Sequence, residues 1–595
     1  TSALLLRGRA LARTGQPREA LAVFRDVASR CRDLRDRAGE AEALYAVAGT
    51  ERSLGLDKEA RADADQAVTR VEELRTGFVS PDLRAAFLAT QRRSYSLIID
   101  LHMDRHAAEP GKGEDRAALE VSERVRARSL LDVLSTGGAA NARNAIPADL
   151  LARRQSLRHR LSAKADQQVK QGGAKAEALG REIGTLLAEL DGVEAEIRRL
   201  DPRYAAVSAP PSLNVEEISR LLDPGTLLLE YSLGEERSYL WAIGAGVFRS
   251  FLLPPQREIE TLARQFHQEL STVEAGAHHD SAAAALSRIL LGPVASELAH
   301  DHRLVVVPDA ALHLVPFAAL PVPGSGEPLL ERFEIAYVPS ATTLALQRQR
   351  LEQRPPAPKW AAVLADPVFA ADDPRLAGPS AAGRKSANES LQRVGETGGL
   401  LSGFERLPSS RREAESISRL APAGQVWTAL NLAANREAVL SGDLRSYRVV
   451  HFATHAVADT RAPELSGLVL SLVDAAGKPQ EGFLNLTDIY ELDLDADLVV
   501  LSGCQTALGK EVRGEGIMGL TRGFLYAGVP RVVASLWKVQ DRTTAELMAR
   551  FYRALWQDHL PAAAALREAQ RSLRHDPRYR DAHSWAGFVL QGDWR

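Results

Sequence analysis

A thiol and an imidazole can act as nucleophile and base, and one pair in this chain is spaced for that. His455 stands three residues beyond the apolar run Val449–Phe452, and Cys504 three beyond Leu498–Leu501. In a parallel sheet the ends of neighbouring strands lie side by side, so residues just past two such ends project into one crevice. There the imidazole would promote the thiolate and then protonate a leaving amine. Other assignments are weaker. His451 and His455 share an i,i+4 spacing, but no glutamate lies between them and no helix carries them, so no zinc site is expected. His451 falls inside the apolar run and is expected to be held in the sheet. Gly514–Gly519 matches a dinucleotide fingerprint with Asp541 downstream, yet eleven residues separate Ser502 from Gly514, and the first glycine must directly follow a strand. No cofactor is expected.

The elements that must position this pair are legible in the pattern. Past Pro210, Thr226–Ser232, Tyr239–Ile243 and Val247–Leu253 are short β-rich runs, and Glu258–Leu270 has helical period. Leu304–Val307, Ile335–Val338, Trp360–Leu364, Val449–Phe452, Leu498–Leu501 and Arg531–Leu536 are apolar runs alternating with helix-compatible sequence. This predicts a largely parallel sheet covered on both faces, in two α/β units divided near 347–358. The stretch Asp372–Glu405 is rich in Gly, Ser and Ala and reads as an exposed loop.

The first part of the chain is helical. Gly15 and Ala20 recur forty residues later as Gly55 and Ala60, and Gly8, Leu11, Gly15, Ala20 and Phe24 are spaced as in tetratricopeptide helix pairs. Helical periodicity continues from Pro81 to Leu134. A charged helical hairpin is expected over Pro147–Leu200, broken at Gly172 and Gly173.

A formal net charge of -3 gives no electrostatic case for a nucleic-acid or membrane-surface binder. No apolar run is long enough to span a bilayer. Two cysteines far apart, Cys31 and Cys504, argue against a disulfide framework and for a reducing, cytoplasmic compartment. The chain begins at Thr1, so it reads as a fragment or processed product.

Several motifs in order resemble the CHAT family, caspase-like domains often attached to tetratricopeptide repeats and more distantly related to separases. They are Gly225–Tyr231, Val307–Phe317, His451–Ala456, Leu501–Thr506 and Gly514–Asp541, and Glu123–Leu131 resembles the helical region that commonly precedes such domains. The 49 positions from His455 to Cys504 are close to the caspase separation of about 50. The resemblance covers residues 205–595. It implies a caspase-like α/β domain with a pseudo-subdomain (205–350) and an active subdomain (351–595), after tetratricopeptide-like repeats (1–75) and a helical linker region with the charged hairpin (76–204). It implies that His455 and Cys504 are catalytic, and that the backbone amides of Ala456 and Cys504 form an oxyanion hole. The family usually has glycine after the catalytic histidine. With Ala456 there, the hole survives only where the backbone accepts a Cβ.

On the substrate side, Ser535–Trp537 is expected to be a sheet edge that holds an extended peptide. Asp541 resembles an acidic residue of separases that would favour Arg or Lys at P1; the alternative is an ordinary helix N-terminal aspartate before Thr543 and Thr544. The resemblance thus implies a regulated cysteine endopeptidase, with a protein substrate or regulatory protein recruited by the helical repeats, in bacterial defence or signalling. The Asp372–Glu405 loop, with Arg384, Lys385 and Arg393, would be a self-cleavage or gating segment. The rival is an inactive caspase-like scaffold that binds partner proteins, and Ala456 is the feature in its favour.

Overall fold

The computed structural model describes residues 2–75, 81–126, 212–272, 280–376, 404–457, 466–492, 494–503, 509–512 and 516–595, and scattered helical positions within 147–196. Residues 81–90 and 509–518 are described, where at all, by backbone alone. Cys504, most of the expected charged hairpin, and 377–403 of the expected loop lie outside the described residues.

Helices α1 (Ser2–Arg13), α2 (Pro17–Asp33), α3 (Arg37–Ser53) and α4 (Asp57–Arg75) form two successive antiparallel pairs. The forty-residue recurrence has a steric cause. Gly15 and Gly55 both adopt left-handed backbone, at φ +80 and +72, in the turn that closes each pair. Gly8 lets the first pair close, since a Cβ there would sit 2.4 Å from the Phe24 ring. Ala20 and Ala60 are both fully buried. Helices α5 (Pro81–Ala108) and α6 (Glu114–Val125) follow.

These last two helices dock on the α/β part through buried charge. Arg92 of α5 pairs with Asp309, and Arg126, just past α6, pairs with Glu230 and donates to the Pro308 and Tyr231 carbonyls. Burial, and next the Glu123 carboxylate, push Glu230 up to about 8. Glu123 itself receives the amides of Ala341 and Thr342, both at 2.9 Å, and so caps the helix Ala341–Glu352 from another element.

The α/β part is built on eleven strands of one mixed sheet. In chain order the described strands are β1 (Thr226–Ser232), β2 (Ser238–Gly244), β3 (Val247–Leu253), β4 (Arg303–Val307), β5 (Glu334–Tyr337), β6 (Lys359–Ala365), β7 (Val426–Leu430), β8 (Tyr447–Ala453), β9 (His455–Val457), β10 (Gly467–Val469), β11 (Phe483–Asn485), β12 (Leu498–Leu501), β13 (Gly509–Val512), β14 (Gly516–Gly519), β15 (Arg531–Ser535) and β16 (Phe588–Gly592). The sheet order is β3-β2-β1-β4-β5-β16-β15-β12-β8-β6-β7; β9–β11 form a small antiparallel sheet, and β13–β14 a hairpin. The pairings within β1–β2–β3 and β15–β16 are antiparallel and the rest of the large sheet is parallel. Helices cover both faces, so β4, β8 and β12 bury nearly every side chain.

The two α/β units share one sheet, because β16 runs between β5 and β15 and joins them edge to edge. One expectation changes. The strand β15, expected to be a substrate-holding edge, is an interior strand paired with β12 on one side and β16 on the other. Beyond β15 the Leu536 amide donates to the Gly587 carbonyl at 2.7 Å, so the extension is covered on the β16 side.

Candidate active site

The sheet register brings four strand ends to one level. Ala365 of β6 lies opposite Ala453 of β8, Phe452 opposite Leu501 of β12, and Leu501 opposite Ala534 of β15. Chain order runs from β6 outward to β7 and then back to β8 on the other side of β6, so the strand order reverses at this point. Open α/β sheets place their crevice at such a reversal, outside the carboxyl ends. Asp366, His455, the Ser502–Gly503 turn leading to Cys504, and Ser535 all lie just past these ends.

His455 is half-buried between Phe369 and Phe404, with each ring centroid 5.1 Å from the imidazole's. Its Nε2 lies 2.7 Å from the Glu405 carbonyl oxygen. A carbonyl only accepts, so Nε2 carries the proton, and Nδ1 of the neutral ring keeps its lone pair. Burial pushes the imidazole below its ordinary value; the Glu405 bond opposes this, Lys538 adds to it, and Asp541 opposes it. The ring is therefore neutral at neutral pH and able to accept a proton. Sequence reasoning missed Phe369, Phe404 and Glu405, because nothing in the local pattern of 404–405 connects it to a histidine fifty residues later.

On the side of Cys504, the two residues before it are anchored from below. The Ser502 amide donates to the Phe452 carbonyl at 3.0 Å, and Ser535 Oγ donates to the Gly503 carbonyl at 2.6 Å. Ser535 and Trp537 are both buried, and the Trp537 indole donates to the His583 carbonyl at 3.1 Å. The Trp537 ring also packs against His267 and His583, at centroid distances of 5.9 and 6.1 Å. His451 is buried in β8 as expected, with Nε2 2.7 Å from Glu413 and Nδ1 2.9 Å from the Tyr552 hydroxyl.

Asp541 is the first residue of the helix Asp541–Trp556, and its Oδ2 accepts from the Ser409 amide at 2.7 Å, near the start of the helix Pro408–Leu420. It thus joins two helix N-termini, where a carboxylate is favoured, and stands close enough to His455 to act on its charge. Ala456 lies in the extended strand β9 and is not among the residues with positive φ, so its backbone carries a Cβ without strain. Among the described residues, no group of three or more His, Cys, Asp or Glu side chains is arranged to hold a metal ion. No described helix is long and apolar enough to cross a membrane.

The CHAT domain matches residues 280–593, more than half of the chain, including all four strand ends just described. The chain belongs to the CHAT family. The CHAT chain is 30% identical to tetratricopeptide repeat protein 28 of Homo sapiens over 351 residues, covering 52% of this chain and 13% of that protein. It is also 30% identical to the Mus musculus protein of the same name over 324 residues, with the same two coverages. The match therefore spans 13% of the length of these curated relatives. Among solved structures, it is similar to the Saccharomyces cerevisiae separase–securin complex, at a TM-score of 0.36 and 10% identity, covering 99% of this chain and 49% of that one. It is also similar to the Arg-specific cysteine proteinase gingipain R, at a TM-score of 0.33 and 9% identity, covering 57% and 74%.

Proposed function

We propose that this CHAT protein is a cysteine endopeptidase in which Cys504 attacks a peptide carbonyl and His455 moves the proton. The observation that carries this reading is the His455 imidazole, caged by Phe369 and Phe404 with its Nε2–H committed to Glu405, on the strand end beside the one that runs into Cys504. With one nitrogen fixed as donor, Nδ1 is the base. It takes the thiol proton, the thiolate adds to the carbonyl carbon, and the imidazolium returns the proton to the leaving amine. The amides of Ala456 and Cys504 stabilise the oxyanion, and a water molecule then releases the acyl group by the reverse proton traffic. The extended backbone at Ala456 supports a functioning hole, which weakens the main argument for an inert scaffold.

In the finer reading, Asp541 receives an Arg or Lys side chain at P1, and a protein substrate or regulator docks on the helical repeats, whose paired-helix surfaces suit that role. The test is incubation with a proteome-derived peptide mixture and mass-spectrometric mapping of new termini. Cuts after basic residues are expected with wild type and none with Cys504→Ala or His455→Ala. Fragment patterns shared by all three proteins would remove the enzyme reading. A basic P1 preference that persists unchanged in Asp541→Ala would remove the role of Asp541.

A further inference from the structure

Asp366 is an unusual residue in a telling place. It directly follows β6, has a left-handed backbone at φ +49, and is fully buried. A non-glycine residue held there costs on the order of 1 kcal/mol, and such strain collects at functional sites. Three arginines converge on its carboxylate. Arg406 reaches it through Nε and Nη2, both at 2.9 Å, Arg411 through Nε at 3.0 Å, and Arg375 through Nη1 at 2.9 Å. A buried ion cluster adds little net stability, so stability alone does not explain it.

We propose that Asp366 is a positioning residue for His455, acting through Arg406 on the Glu405–Arg406 peptide group. The inference rests on the reading of His455 as the base. The peptide whose oxygen accepts the Nε2–H has Arg406 as its next residue, and the two-pronged grip of the guanidinium fixes that residue in orientation as well as place. Asp366 and His455 follow the paired ends of β6 and β8, so carbonyl and imidazole are referred to one rigid frame. The ring's aromatic walls belong to the same two segments. Phe369 lies three residues after Asp366, and Phe404 two before Arg406. Arg375 ties down the first segment by also binding Asp373 and the Asp366 and Pro367 carbonyls. Loss of this clasp would let the Glu405 carbonyl drift, and the proton would distribute between both ring nitrogens.

The test uses Arg406→Gln, because the Arg406 side chain is 39% exposed and its loss leaves Asp366 paired with Arg375 and Arg411. Alkylation of Cys504 by iodoacetamide is followed by peptide mapping from acidic to alkaline pH, with the buried Cys31 as internal reference. Arg406→Gln is expected to slow alkylation at neutral pH by about tenfold, as for residues that orient a reactive group, and to move its profile toward that of a free thiol. Arg406→Lys, which keeps the charge without the fork, should restore only part of the rate. Nitrogen-15 spectra of the imidazole, assigned by difference with His455→Ala, should pass from the Nε2–H tautomer to a mixture. Asp366→Asn should act in the same direction. If His455→Ala leaves the alkylation profile unchanged, the Cys504–His455 pairing is wrong, and the tautomer spectrum alone decides the role of Asp366. A wild-type profile and tautomer in folded Arg406→Gln would overturn the inference.

Discussion

At the scale of single residues, the account turns on how the protonation of one imidazole is fixed. Burial lowers the affinity of His455 for a second proton, while Lys538 and Asp541 pull in opposite directions. Replacing Lys538 by Gln should therefore raise the pH at which the ring protonates, and Asp541→Asn, which keeps an acceptor for the Ser409 amide, should lower it. The acid limb of cleavage or of Cys504 alkylation measures both, and shifts of the same sign would contradict the assignment. The sign for stability follows likewise. Because the folded value lies below the ordinary one of about 6.5, the unfolded chain takes up the proton first as pH falls, and this group's contribution declines on the acid side. The rule that flagged His455 and Cys504, a polar residue just past a continuous apolar strand, also fits Asp366 after Lys359–Ala365. Glu405 and Phe404 were beyond its reach, since a backbone carbonyl and a single aromatic carry no spacing signal.

At the scale of elements, the continuous apolar runs were the legible part. Thr226–Ser232, Val247–Leu253 and Leu498–Leu501 are strands with those very bounds, and the other runs named from the sequence shift by one or two residues. The misses share a cause. The strands β7, β9–β11 and β16 are short or mixed in composition, and they become strands through partners distant in the chain. The cover of β15 and its extension on one side was hidden for the same reason, because β16 gave no signal of its own. Long-range capping was equally hidden. Glu123 of α6 serves the N-terminus of Ala341–Glu352 with both carboxylate oxygens and no solvent exposure. Glu123→Ala should cost about 3 kcal/mol in urea unfolding, as expected when a buried charged acceptor is removed from its donors. Glu123→Gln, retaining one acceptor, should cost less. A change near zero for Glu123→Ala would mean that the α6 contact does not support that helix.

At the scale of the whole molecule, the last strand closes the sheet. The strand β16 pairs with β15 on one side and β5 on the other, so the segment 588–592 holds together parts that the sequence presents as two units. Gly592 makes this possible, with φ +101 and a virtual Cβ only 2.1 Å from the Pro530 carbonyl oxygen. Gly592→Ala should destabilise the α/β part by roughly 3 kcal/mol and leave one cooperative transition for it, read by calorimetry. Two resolved transitions in wild type would mean that the halves unfold independently. The helical front is joined to the same body by Arg92–Asp309 and Arg126–Glu230. The most direct measurement of the central claim is covalent capture of native protein by a peptidyl acyloxymethyl ketone with arginine at P1, read as intact mass and mapped to a residue. The account predicts one adduct per chain, on Cys504 and not Cys31, nearly abolished in His455→Ala and much slowed in Asp541→Ala. Equal labelling of wild type and His455→Ala, or no labelling of folded wild type, would contradict it.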